Sequence, residues 1–128
     1  MNKHKVKVFG VKLTIRKSAI LPPLGFAAIN LYPFAIYTRR NADELSERLL
    51  RHEAIHTLQA RGLLVVFHWL LYGLEFLIKF AIALNFKKAY YSVSFEQEAY
   101  YNADNLNYHN ERRWFSFANY IFKLYKPC

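Results

Sequence analysis

The sequence predicts a single α+β domain that is mainly helical, with a short N-terminal antiparallel sheet followed by helices. Its 128 residues are enough for one hydrophobic core. Hydrophobic residues make up 54% of the chain and aromatic residues 18%, whereas glycine and proline number only four each. This composition favours long packed helices over loops, and the alternating pattern near the N-terminus is typical of strands.

The N-terminal third has the pattern of strands. Residues 5–16 alternate between apolar and polar side chains, with a break near Gly10. Residues 26–38 form a second extended and largely apolar segment. Pro33 has no backbone N–H, so it places this segment at a sheet edge or a bulge. The apolar positions of the first segment are Val6, Val8, Val11, Leu13 and Ile15.

Two helices are predicted in the middle of the chain. Asn41 and Glu44 form a capping-box pattern for a helix that ends near Gly62. Residues 63–84 form a second helix, long enough to cross a bilayer at about 1.5 Å per residue. Its polar residues His68, Glu75 and Lys79 share one narrow face, and a charge at mid-membrane is costly. Three interpretations stay open: a core helix with a polar stripe, a helix lying in the membrane interface, and a true span.

A C-terminal helical region is predicted to begin near Ser94, where Gln97 completes another capping-box pattern. It continues to about Tyr125, with a break around residues 104–110. Its last part mixes basic and aromatic residues, which is typical of a membrane interface, although the same aromatics can pack in a core. These residues are Arg112, Arg113, Trp114, Phe115, Phe117, Tyr120, Phe122, Lys123 and Lys126.

The formal net charge is +9, and the single cysteine is Cys128. A strongly basic chain attracts polyanions, and the apolar, aromatic composition favours an anionic membrane surface over nucleic acid, for which no motif is present. One cysteine excludes an intrachain disulfide and a four-thiolate zinc site. Since no signal peptide is apparent, we expect a cytoplasmic protein, peripheral or integral at the inner membrane.

The strongest chemical signal is an H-E-x-x-H segment formed by His52, Glu53 and His56. Residues four apart share a helix face, so both histidines can present a ring nitrogen to one ion. The glutamate that follows the first ligand can take a proton from a water activated by zinc. The alternative is a pair of surface histidines, but the apolar neighbours of the motif indicate a packed helix.

A catalytic zinc usually has three protein ligands and one open position. The third ligand is a further histidine, His68 or His109, or a carboxylate of the helix that begins near Ser94. Within that helix Glu96 is favoured over Glu98, which is interpreted as a solvated or supporting carboxylate.

These two motifs together resemble the gluzincins, zinc peptidases with H-E-x-x-H and a downstream helix that reads E-x-x-A-D or E-x-x-S-D. Glu96 and Ala99 match the downstream motif. The resemblance implies that His52, His56 and Glu96 bind zinc and that Glu53 is the general base. Gln59 is similar to the glutamine of compact bacterial members that read H-E-x-x-H-x-x-Q.

The chain departs from the gluzincin pattern at Tyr100, where the family places an aspartate that orients a ligand histidine. Asp104 or Glu98 is expected to take that supporting role. A donor for the oxyanion is also needed. The candidates are Tyr108, His109 and Arg112, and His109 is taken as catalytic. By analogy with the family, residues 26–38 are expected to bind the substrate as an added strand.

The predicted function is that of a zinc-dependent metallopeptidase acting on a peptide or protein substrate. Two other functions remain open. One is a non-catalytic protein in which zinc only joins two helices, and the other is a basic membrane-surface binding module with incidental histidines. Two histidines and a carboxylate also suit Mn²⁺ or Fe²⁺.

Overall fold

The computed structural model describes residues 3–22 and 26–122 and confirms a mainly helical α+β fold. The strands are β1 (Lys3–Val8), β2 (Val11–Lys17), β3 (Ala28–Leu31) and β4 (Ala35–Thr38). The helices are α1 (Glu47–Gly62), α2 (Val66–Ala83), α3 (Phe86–Ser92), α4 (Ser94–Asn102) and α5 (Tyr108–Glu111). Short 3-10 turns cover Ala42–Glu44 and Ser116–Tyr120.

The four strands form one sheet in the order β1-β2-β4-β3. β1 and β2 form a hairpin whose turn residues, Phe9 and Gly10, both have positive φ angles. β3 and β4 are also antiparallel, but β4 pairs with β2 in parallel. The sheet is therefore mixed, and the prediction of a wholly antiparallel sheet is wrong at this pair. The chain reverses direction at β3 before β4 joins β2, which the alternation of apolar residues does not reveal.

α1 packs against the sheet and carries the H-E-x-x-H motif. The apolar side of β2 and Ala54 of α1 belong to one buried cluster. The predicted cap at Asn41 is wrong, because Asn41 and Glu44 bond to each other in the preceding 3-10 turn. The helix is capped instead by Ser46, whose hydroxyl accepts from the backbone N–H of Leu49 at 3.1 Å.

The C-terminal half differs from the prediction in three ways. α3 was not predicted, and it is capped by Asn85, which accepts from the N–H of Lys88. α4 begins at Ser94 as expected, but its cap is a carboxylate of α2: Glu75 accepts from both the backbone N–H and the hydroxyl of Ser94. After α4 the helical structure is brief, because α5 has four residues and a 3-10 turn follows it. Residues 123–125 of the predicted helix lie outside the described residues.

α2 has its predicted polar stripe, and His68, Glu75 and Lys79 all turn towards the protein. Only His68 and Lys79 of its 18 residues are buried, so α2 lies on the surface and the core-helix interpretation is wrong. By length and hydropathy α2 is also long and apolar enough to cross a membrane.

Candidate metal centre

α1 and α4 bring together the three residues of the predicted zinc site. His52 and His56 are one turn apart on α1, and their Nε2 atoms lie 3.1 Å from each other. Oε1 of Glu96, in the first turn of α4, is 3.2 Å from each of these nitrogens. All three side chains are buried. The predicted ligand set thus converges on one point between two helices.

The spacing of these atoms suits a metal ion. A tetrahedral zinc ion with bonds of about 2.0–2.1 Å separates its ligand atoms by about 3.3 Å. The three pairwise distances observed are 3.1 to 3.2 Å. Two imidazole nitrogens and one carboxylate oxygen are also donors that zinc accepts in catalytic sites. Residues His52, His56 and Glu96 therefore fit the ion.

Gln59 orients the second histidine. Its amide nitrogen donates to the backbone oxygen of Phe95 and to Oε1 of Glu98, each at 2.9 Å. Its amide oxygen then faces Nδ1 of His56 at 2.8 Å, which requires a proton on that nitrogen. Because Nδ1 keeps its proton, the proton that His56 must release to bind a metal is the one on Nε2, the atom that points at the cluster.

Glu98 accepts a hydrogen bond from Gln59 and lies outside the cluster of His52, His56 and Glu96. Its carboxylate accepts from Arg112 at 2.8 and 3.2 Å and from the hydroxyl of Tyr108 at 2.7 Å. The contacts of Glu98 thus match the supporting role predicted for it, because Glu98 binds Gln59 and Gln59 binds His56. Tyr108 and Arg112 were proposed as oxyanion donors, but both donate hydrogen bonds to this buried carboxylate.

The other histidine has a different environment. The ring of Tyr100 lies against the His52 ring, with centroids 4.2 Å apart. Nδ1 of His52 is buried and has no hydrogen-bond partner among the described residues. Asp104 does not supply one, because it is exposed and pairs with Arg48 at 3.0 Å. With a tyrosine at position 100, Nδ1 of His52 has no carboxylate acceptor on α4.

Tyr72 of α2 binds the second carboxylate oxygen of Glu96. Its hydroxyl donates to Oε2 of Glu96 at 2.7 Å, so Oε1 is the oxygen left for a metal. Burial and the charge of Glu96 raise the pKa of Tyr72 well above its usual value, and the hydroxyl stays a donor. Tyr72 was not predicted from the sequence, because it belongs to no motif and its contact with Glu96 is made between two helices.

The electrostatics of the cluster favour positive charge. Burial acts to lower the pKa of His56, but the carboxylate of Glu96 outweighs it and raises the pKa to about 9. Burial likewise acts to raise the pKa of Glu96, yet His56 and the hydrogen bonds from both histidines hold it well below the usual range. A buried carboxylate that stays ionised among imidazoles is an environment that a cation stabilises.

Glu53 follows His52 on α1 and is one of the residues that line a cavity beside the cluster. It is buried, and its Oε2 has no hydrogen-bond partner among the described residues. Burial raises the pKa of Glu53, although His52 and His56 act in the opposite direction. A desolvated carboxylate with a raised pKa is a better proton acceptor than one in water. The position therefore suits a general base.

The cavity measures about 470 Å³ and lies between α2 and the edge strand β3. Glu53, His56 and Glu96 form one polar corner, and most of the remaining wall is apolar or aromatic. Asn30 of β3 fastens the strand to α1, because its amide donates to the backbone oxygen of Glu53 at 2.8 Å and to the hydroxyl of Thr57 at 3.1 Å. The segment expected to bind substrate thus forms one wall of the cavity.

The two other histidines that were considered occupy different places. His68 lines the cavity, packs on Phe95 with ring centroids 4.7 Å apart, and has no partner for either ring nitrogen among the described residues. Burial lowers its pKa to about 3, so it is neutral. His109 stacks on Phe9 of the β1–β2 turn and does not line the cavity. The structure therefore brings His68 to the cavity and leaves His109, taken as catalytic from the sequence, away from it.

No protein-family model, no curated protein and no solved structure matches this chain.

Proposed function

We propose that the protein is a zinc-dependent metallopeptidase that hydrolyses peptide bonds with Glu53 as its general base. One observation carries the proposal: Nε2 of His52, Nε2 of His56 and Oε1 of Glu96 lie within 3.2 Å of one another, and Glu53, one of the residues that line the adjoining cavity, has a buried Oε2 without a hydrogen-bond partner among the described residues. A purely structural zinc site has no use for such a base.

When bound, zinc polarises a water molecule and the substrate carbonyl. Glu53 accepts the proton of the attacking water and then delivers it to the leaving amine, so no covalent bond to the protein forms. His56 is held in the required tautomer by Gln59, and Glu96 is held by Tyr72. These contacts position the ligands before the substrate arrives.

His68 is the residue best placed to donate to the developing oxyanion. It lines the same cavity as Glu53, and its neutral ring carries one N–H that no described residue uses. A donor of this kind, fixed in a desolvated cavity, stabilises negative charge more strongly in the transition state than in water. His68 takes the place that the sequence analysis gave to His109, Tyr108 and Arg112.

The shape of the cavity favours an extended peptide with an apolar side chain near the scissile bond. Ile29 and Leu31 of the edge strand β3 line one wall, and Phe76, Phe86 and other aromatic residues line the opposite side. An edge strand offers unpaired backbone groups to which an extended substrate can add as a further strand. The aromatic wall would then bind the substrate side chain by removing it from water.

The test is cleavage of an unstructured peptide, oxidised insulin B chain, followed by mass spectrometry of the products. Glu53→Gln should lower the rate by about 10²–10⁴-fold while the zinc content stays unchanged. Glu47→Gln is the matched control, because this exposed glutamate lies on the same helix and touches none of the ligands.

Cleavage by the wild type that persists in Glu53→Gln would overturn the assignment of the base. Bound zinc with no cleavage of any peptide offered would instead favour a site that only joins α1 to α4.

A further inference from the structure

The outward face of α2 is apolar at every position. Within this helix, which is described throughout, each exposed residue is apolar, and Leu70, Leu74 and Leu77 are more than half exposed. The polar residues His68, Glu75 and Lys79 turn inward. A helix on the surface of a soluble domain has the opposite arrangement, with polar residues facing water. The outward face of α2 therefore needs an apolar environment.

The apolar surface extends beyond the helix at both ends. Phe34, in the turn between β3 and β4, lies beside Trp69 with ring centroids 6.4 Å apart, and both are exposed. Leu84 and Phe86 continue the exposed apolar surface after the last turn of α2. Contiguous apolar patches of this length on a soluble protein mark a site of interaction with another protein or a membrane.

The exposed charges that follow α2 directly in the sequence are positive. Residues 63–95 contain a single acidic residue, Glu75, which faces inward and pairs with Lys79 at 2.7 Å. Lys87 and Lys88, just after α2, are both exposed. The chain as a whole has a formal charge of +9. An apolar helix face bordered by lysines complements a lipid surface that carries negative headgroups.

We propose that α2 docks on an anionic lipid bilayer, with its outward face inserted among the acyl chains of one leaflet and Lys87 and Lys88 at the headgroups. Lipid fits this face better than a protein partner does. Protein interfaces carry roughly one hydrogen bond per 100–200 Å². The exposed side chains of α2 offer no hydrogen-bond donor other than the indole N–H of Trp69.

α2 lies along the membrane plane and does not cross it. Its inward face packs on α3 and α4, so lipid cannot surround the helix without displacing these contacts. Glu75 also binds the start of α4 near the middle of α2, which ties the helix to the domain. Trp69 and Gly73 are exposed and also line the cavity, so docking places the cavity next to the lipid.

The first experiment uses the two tryptophans of the chain, Trp69 and Trp114. Vesicles of phosphatidylcholine and phosphatidylglycerol with brominated acyl chains quench a tryptophan only when it reaches the chains. Trp114→Phe keeps Trp69, whose emission should shift to the blue and lose most of its intensity. Because this variant leaves α2 intact, it tests insertion without disturbing the face itself. Unchanged Trp69 emission would overturn the proposal.

The second experiment measures co-sedimentation with unbrominated vesicles of the same composition. Leu77→Gln should weaken binding by about tenfold, because burial of one leucine is worth roughly that factor. Leu106→Gln is the matched control: Leu106 is 69% exposed and lies outside α2, whereas Leu77 is 66% exposed on its outward face. Both leucines are exposed, so neither change should unfold the protein, and circular dichroism verifies this.

The third comparison tests the charges. Lys87→Gln with Lys88→Gln should weaken binding to anionic vesicles more than Lys5→Gln with Lys7→Gln, which removes the same charge from the exposed side of β1. Binding of the wild type should persist with a chelator, since it does not depend on the metal centre. A failed peptidase assay therefore leaves this result unaffected. If the wild type does not bind vesicles and forms a stable dimer in light scattering, the proposal is overturned, and the outward face of α2 binds a second copy of the chain.

Discussion

The interface of α1 with α4 and the outward face of α2 are opposites in composition and exposure. The buried residues of α1 and α4 include two histidines, two glutamines and three glutamates, whereas the exposed residues of α2 are leucine, isoleucine, valine, alanine, glycine and aromatics. Each arrangement is unfavourable for a protein alone in water. A buried carboxylate needs a compensating charge, and an exposed apolar face needs an apolar contact. The two regions therefore point to two external partners, a cation and a lipid surface.

The largest effect should come from removing a ligand of the cation. His56→Ala and Glu96→Ala should each abolish stoichiometric zinc binding, because a tetrahedral site that loses one of three protein ligands no longer closes around the ion. The measurement is elemental mass spectrometry of purified protein, where the wild type should carry about one zinc per chain. His109→Ala is the control, since His109 stacks on Phe9 away from the cavity. Zinc that is retained in both ligand variants would refute the site.

The next effect concerns the polar interface itself. Arg112→Met leaves the fully buried Glu98 without its bidentate partner, and loss of one member of a buried pair costs about 3–5 kcal/mol. Urea unfolding measures this change. Arg48→Met is the comparison, because it breaks the exposed pair with Asp104 and should cost less than about 1 kcal/mol. Equal losses in the two variants would mean that Glu98 does not anchor the interface.

A smaller effect is expected at Gln59, which both packs in this interface and orients His56. Gln59→Met removes the acceptor of the Nδ1 proton of His56 and should weaken zinc binding by about 10–100-fold. Competition with a chelating dye measures the affinity. Thr38→Val is the control, as it removes a buried hydrogen bond in β4, remote in sequence from the ligands. An unchanged zinc affinity in Gln59→Met would mean that Gln59 does not orient His56 for metal binding.

The sequence predicted the three residues of the candidate metal site because each of them belongs to a local motif. His52 and His56 share a face through their spacing of four, and Glu96 was found through the resemblance of its own helix to a known motif. Contacts that depend on how helices pack could not be found in this way. Tyr72 of α2 contacts Glu96, and no sequence pattern within α2 predicts that contact.

The same distinction explains the errors in the fold. The predicted capping box of Ser94 with Gln97 is wrong, because the backbone N–H of Ser94 donates to Glu75, nineteen residues earlier in the chain, and not to the side chain of Gln97. The parallel pairing of β4 with β2 likewise depends on tertiary contacts. The orientation of α2 was predictable in part, since the spacing of His68, Glu75 and Lys79 defines a face. Whether that face meets water or protein is decided only by the rest of the molecule.

The smallest effect is expected when an exposed leucine of α2 is truncated, and a buried leucine of the sheet provides the comparison. Leu77→Ala should change the free energy of unfolding in water by no more than about 0.5 kcal/mol, because the side chain is exposed and loses no packing. Leu13→Ala, at a position only 1% exposed in the sheet, should cost about 2–5 kcal/mol. Urea unfolding without lipid measures both. A large loss for Leu77→Ala would mean that the outward face of α2 is covered by the protein itself in solution, which would remove the reason for a lipid partner.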